Sequence, residues 1–213
     1  MITADGVTFT YVGNGYSDNY KVANDTKTVE RTIEMDNSGL AANEAAIKSG
    51  NVHIVNRSAN ANSDVKVKNT FIKGTKLVNR EHGDIMIEAA GDVDIENSRL
   101  QTINSSIEYD GKQYDTKSQN GGEVLLLAGK NANVKDSLIL TDGAKAGTAN
   151  DANAGSIRIF GLGGNVNIDN SKAISHGNAT LDAYDDVNVQ NSLVQARNAV
   201  DSSKVKDVNI INV

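Results

Sequence analysis

The chain has 213 residues, a net charge of −6 and a pI near 5.1, so the basic stripe that nucleic-acid binding needs is missing. Hydrophobic residues make up 38% and aromatics 4%, with no Trp; a compact two-layer core is disfavoured, and a thin elongated core of Val, Ile, Leu and Ala is expected. Cys and Pro are absent, which removes disulfides and thiolate metal sites and suits long uninterrupted strand ladders. No apolar run reaches the length of a membrane span, and "MITADGVTFTYV" carries no signal-peptide pattern. An export signal, if the chain is exported, is therefore expected ahead of residue 1.

In chain order, residues 1–49 read as a hairpin around Gly13-Asn14-Gly15, then a short helical stretch over 38–50 that stops on Gly50. This region is expected to cap the first coil of the repeats or to form a small subdomain; a cap suits an open sheet edge, which offers unpaired backbone groups to other chains.

From residue 50 a phrase recurs. It opens at Asp64, Asp92, Asn131, Asn165, Asp186 and Asp207, at intervals of 28, 39, 34, 21 and 21 residues. A basic turn of 21 with insertions of 7, 18 and 13 fits these intervals, and a fixed unit with variable loops is a solenoid signature. Each phrase alternates apolar residues with period two: Val65/Val67, Val93/Ile95, Ala132/Val134, Val166/Ile168, Val187/Val189 and Val208/Ile210. That is a strand with one buried and one wet face. A second short strand precedes it, as Ile85/Ile87, Val124/Leu126, Ile157/Ile159 and, more weakly, Ala179/Leu181. A third comes after it, carrying Ile72, Leu100, Ile139, Ala173 and Val194 at one offset.

Three short strands in about 21 residues leave no room for return strands, so they form three sides of one coil. The predicted fold is all-β, a right-handed parallel β-helix, its hand following the crossover rule. Six coils at about 4.8 Å each predict a rod about 29 Å long. At the corner stand Asn69, Asn97, Asp136, Asn170, Asn191 and Asn212, residue types that tolerate left-handed backbone. In register their side chains can bond from coil to coil, so this column is read as a structural ladder.

The stretch "GDIMIEAAGDVDIENSRL" (83–100) resembles the repeats of filamentous-haemagglutinin-like exoproteins, the secreted partners of two-partner secretion systems in Gram-negative bacteria. The resemblance spans roughly residues 50–213. It implies a secreted or cell-surface location, an adhesive role and an outer-membrane transporter as the parent chain's partner. The family's secretion domain is associated with Asn-Pro-Asn motifs; a chain without Pro looks like an internal slice of a longer fibre.

Two insertions leave the regular coils, at about 102–121 and 141–154. The first contains "SIEYDGKQYDTKS", in which Asp110-Gly111 signals a two-residue hairpin turn. Its Tyr109 and Tyr114 are the candidate contact site, offering faces on which a sugar could stack; alternatively they pair across the hairpin or pack on the rod. The second, "TDGAKAGTANDANAG", has little to bury and reads as a mobile loop.

No catalytic, cofactor or metal site is predicted. Asp92, Asp94 and Glu96 share one wet face, but their expected neighbours are Lys66 and Lys68 below and Asn133 and Lys135 above, the pattern of cross-strand pairing. A glycosidase needs two carboxylates at a set separation, and no second acidic cluster aligns. The Gly-Gly-x-Gly-x-Asp calcium repeat is missing. His53, His82 and His176 stand singly near turns, and "GLGGN" (161–165) lacks the helix and Lys of a phosphate loop. The expected function is a rigid stalk with a candidate host-cell or glycan receptor. The alternatives are a subunit that self-associates end to end into filaments and a polysaccharide-active β-helix enzyme.

Overall fold

A computed structural model of the chain describes residues 2–4, 7–9, 19–25, 32–36, 47–49, 51–58, 60–75, 83–103, 107–109, 112–114, 122–141, 155–196 and 206–212. Within these there are twenty-three strands and no helix. Nineteen of them form three parallel stacks, each visited once per turn of the chain; the other four make two antiparallel hairpins.

Sheet 1 stacks β3 (Asn19–Asp25), β6 (Val52–Ser58), β9 (Ile85–Ala89), β14 (Val124–Ala128), β17 (Ile157–Gly161), β20 (Ala179–Ala183) and β23 (Val208–Asn212). Sheet 2 stacks β4 (Ile33–Asp36), β7 (Val65–Lys68), β10 (Val93–Glu96), β15 (Ala132–Lys135), β18 (Val166–Asp169) and β21 (Val187–Gln190). Sheet 3 stacks β5 (Ile47–Ser49), β8 (Phe71–Thr75), β11 (Arg99–Ile103), β16 (Leu138–Leu140), β19 (Lys172–Ser175) and β22 (Leu193–Ala196). The fold is a parallel β-helix, as the repeat requires.

Register follows the hydrophobic columns. Val93 pairs with Val65 below and Ala132 above, Leu126 with Ile87 and Ile159, and Ile139 with Leu100 and Ala173. These inward residues are fully buried, and a slip of one residue would turn every such column to solvent. Burial of Val, Ile and Leu at about 1.5–3 kcal/mol per side chain gives the rod its cohesion.

The structure moves both ends of the predicted repeat. The boundary at 49/50 does not hold, because β3, β4 and β5 already form the first coil, parallel and in register with β6, β7 and β8. Residues 47–49, assigned to a helical stretch, are a strand. The cue was present in "IEMDNS" (33–38), another copy of the corner phrase. The cap is a different hairpin, β1 (Ile2–Ala4) with β2 (Val7–Phe9), and β1 runs antiparallel to β4 at the end of sheet 2. The Gly13-Asn14-Gly15 turn lies outside the described residues.

At the other end the sixth phrase is out of phase. Residues 208–212 pair with β20 in sheet 1, not with β21 in sheet 2. Asn212 stands beside Ala183, on a strand and not at the corner. The phrase there ends Asn-Val, without the Ser that follows the corner residue elsewhere or the Thr that replaces it after Asn69. The rod thus has six complete coils, with β23 opening a seventh.

Candidate functional site

The corner between sheets 2 and 3 is where sequence and geometry agree most closely. Asn69, Asn97, Asp136, Asn170 and Asn191 take φ between 44° and 50°, left-handed backbone that Asn and Asp tolerate better than other residues with a side chain. Four of these side chains bond along the rod, in two separate runs. Asn69 Nδ2 donates to Asp36 Oδ1 at 2.9 Å, Asn97 Nδ2 to Asn69 Oδ1 at 2.7 Å, and Asn170 Nδ2 to Asp136 Oδ1 at 2.6 Å.

Beside it runs a hydroxyl ladder, buried except at Ser192. Ser98, Ser137, Ser171 and Ser192 each accept, through Oγ, the backbone N–H of the corner residue one coil below: Thr70, Ser98, Ser137 and Ser171, at 2.9–3.1 Å. Each Oγ also donates to the carbonyl two residues back in its own coil, at 2.5–2.7 Å. A tight bend cannot satisfy these N–H groups through a sheet, so the hydroxyl replaces the missing strand partner.

A further ladder lies at the opening residue of the phrase. Asp64 Oδ1 accepts from Asp92 N at 2.8 Å, Asp92 Oδ1 from Asn131 N at 2.9 Å, Asn131 Oδ1 from Asn165 N at 2.9 Å, and Asn165 Oδ1 from Asp186 N at 2.9 Å. The Asx residue at every opening was the available signal. On the wet face of sheet 2, Asn188, Asn167 and Asn133 pass amide bonds down to the Asp94 carboxylate at 2.8–3.0 Å.

Asp92, Asp94 and Glu96 have the neighbours the sequence assigned them, Lys66 and Lys68 below and Asn133 and Lys135 above. Glu96 pairs with Lys68 at 3.6 Å and Asp64 with Lys66 at 3.5 Å. Burial pushes Asp94 above the usual carboxylate range; the Asn133 bond and Lys66 oppose this, while Asp92 and Asp64 reinforce it. A shallow groove of about 530 Å³ over the corner is lined by Lys68, Asn69, Glu96, Asn97 and Asp136. Its mixed charges suit polar contact rather than acid–base chemistry.

Histidine positions are dispersed. His53 lies on β6, His176 Nδ1 contacts Thr141 O at 2.7 Å, and His82 is outside the described residues. Among the described residues no three His, Asp or Glu side chains are grouped to hold a metal.

The hairpin is present as β12 (Ile107–Tyr109) and β13 (Lys112–Tyr114), antiparallel, with Tyr109 opposite Lys112 and Tyr114 opposite Ile107. The tyrosine side chains lie outside the described residues, as does the loop at 142–154. The hairpin leaves the rod between β11 and β14, at the corner between sheets 3 and 1. Comparison with protein-family models, curated proteins and solved structures finds no match to this chain.

Proposed function

We propose that this chain is a stiff β-helical stalk segment of a secreted bacterial surface exoprotein of the filamentous-haemagglutinin-like type, carrying an adhesive contact on the β12–β13 hairpin. The observation that supports a stalk is the continuity of the three sheets, whose ladders and core repeat coil after coil with little chemistry of their own. Recognition then falls to the part that departs from the coil, as it commonly does when loops are displayed on a rigid scaffold. A tyrosine ring is flat and amphipathic, the residue type suited to stacking on a glycan or a host-cell receptor, and the hairpin sequence carries two, Tyr109 and Tyr114. The repeat phrase at 83–100 is the ground for the family reading, and with it for export through an outer-membrane transporter to the surface of a Gram-negative cell.

Binding of labelled protein to epithelial cells and to a glycan panel, alongside the Tyr109→Ala/Tyr114→Ala double variant, tests this. Binding that the variant loses is the expected result. An intact protein that binds neither cells nor glycans sinks the adhesive reading and leaves a spacer.

A further inference from the structure

The corner ladder is broken between Asn97 and Asp136, and the break lies in the groove over that corner. Below the break, Asn97 Nδ2 donates to Asn69 Oδ1; above it, Asp136 Oδ1 accepts from Asn170 Nδ2. The Asn97 amide thus spends a hydrogen down the rod, and an ionised carboxylate above it has none to offer. Among the described residues no donor reaches Asn97 Oδ1 or the second carboxylate oxygen of Asp136. Both residues are exposed, so both oxygens are open to a ligand.

The same groove holds donors. Lys68 Nζ lies 3.6 Å from Glu96 Oε2, and both side chains are partly exposed. Asn69 and Asn97 each use one Nδ2 hydrogen along the ladder, to Asp36 and Asn69, which leaves each a second. The lining residues come from β7, β10 and β15 and the corner that follows each. Three successive coils set a groove about 10 Å long. Sheet 2 continues through β4 on one side and β18 on the other, so the groove belongs to the middle of the rod.

We propose that this groove binds an extended neutral oligosaccharide. An anionic ligand would face Glu96 and Asp136, and a cationic one would face Lys68. A hydroxyl both donates and accepts, so a neutral polyol serves the two halves together. Neighbouring hydroxyls donate to Asn97 Oδ1 and the Asp136 carboxylate, and accept from Lys68 Nζ and the free amide hydrogens. No aromatic residue lines the groove, so recognition is by hydrogen bonds, and a ligand that spans all three coils binds better than a single sugar. The site lies between sheets 2 and 3, a different corner from the one where the hairpin leaves, and it does not depend on the hairpin's adhesive role.

Asp136→Asn separates binding from structure. The new amide keeps an acceptor for Asn170, tolerates the left-handed backbone at φ 50°, and can donate to Asn97 Oδ1 and close the break. This variant should melt at or above the wild-type temperature yet bind more than about tenfold more weakly, because a charged acceptor is lost. Titration of the full chain with neutral gluco-, galacto- and manno-oligosaccharides, read by NMR at the side-chain amides of Asn69 and Asn97, measures this. Heparin and oligolysine are the acidic and basic comparisons. A Tyr109→Ala/Tyr114→Ala background removes the hairpin's own contact, so failure at the groove is read apart from failure of the adhesive hairpin. Amide signals that shift with neutral oligosaccharides, and stay in place in Asp136→Asn, are expected. No shift with any neutral oligosaccharide, equal binding by Asp136→Asn, or a preference for heparin or oligolysine overturns the proposal.

Discussion

Ser171 shows how much one small side chain carries at the corner. Its Oγ accepts Ser137 N at 3.0 Å and donates to Asp169 O at 2.6 Å, and the residue is buried. Ser171→Ala leaves the Ser137 N–H buried without an acceptor, a loss of about 1–3 kcal/mol, or a Tm lower by roughly 2–10 °C for a chain of this size. A melt within a degree of wild type would show that the hydroxyl ladder is dispensable. Asp94 gives the opposite sign. Burial raises its pKa, so the folded chain holds that proton more tightly than the unfolded chain does. Stability from neutral Asp94 is complete below the ordinary carboxylate pKa and is lost as pH rises through the raised folded value. Asp94→Asn keeps an acceptor for Asn133 and removes the half-buried charge facing Asp92, Asp64 and Lys66. The variant should be more stable than wild type at neutral pH, with the gap closing as pH falls below the carboxylate range. Denaturant titrations at several pH values measure this, and a gap that widens in acid would refute it.

At the scale of strands, what the sequence disclosed depended on how local the determinant was. Period-two alternation and the Asn-Ser step act within a few residues, so the three strands of the middle coils and the cross-coil neighbours of Asp94 were readable to the residue. The ends were not. At Ile33–Asp36 the corner phrase exists but is surrounded by residues that break the spacing, and at Val208–Asn212 the alternation is present in the wrong sheet. Alternation says which face is buried but not which sheet receives it; the corner residue after the strand settles that. The ladders running along the rod were only partly legible, because a bond from Asp64 to Asp92 spans 28 residues. Gly129 illustrates a constraint visible only in three dimensions. A Cβ there would lie 2.2 Å from Ala90 O of the coil below, so the corner between sheets 1 and 2 closes only with a hydrogen at that position. The hairpin itself was legible from Asp110-Gly111, but its register, which sets Tyr109 opposite Lys112 and Tyr114 opposite Ile107 rather than opposite each other, was not.

For the whole molecule, the consequence of stacking is that stability is close to a sum over coils and their interfaces. Each coil touches the one above and the one below, so an entire coil should be removable where the two resulting neighbours still match. Asn165 and Asp186 are equivalent positions 21 residues apart, and deletion of residues 165–185 joins Gly164 to Asp186. It brings β21 onto β15, β22 onto β16 and β23 onto β17, with Val187 above Ala132 and Val189 above Val134. Lys135 then faces Gln190, so no like charges are brought together. The shortened chain is expected to fold, to keep its β-sheet circular dichroism and to unfold cooperatively at a somewhat lower Tm, since one interface has been lost. Deletion of residues 165–174 removes about half a turn and forces the strands into the wrong sheets; that chain should aggregate. Equal behaviour of the two deletions would mean that the coil is not the unit of cohesion. A folded 21-residue deletion beside an unfolded 10-residue one would show that register around the rod, rather than chain length, holds the molecule together.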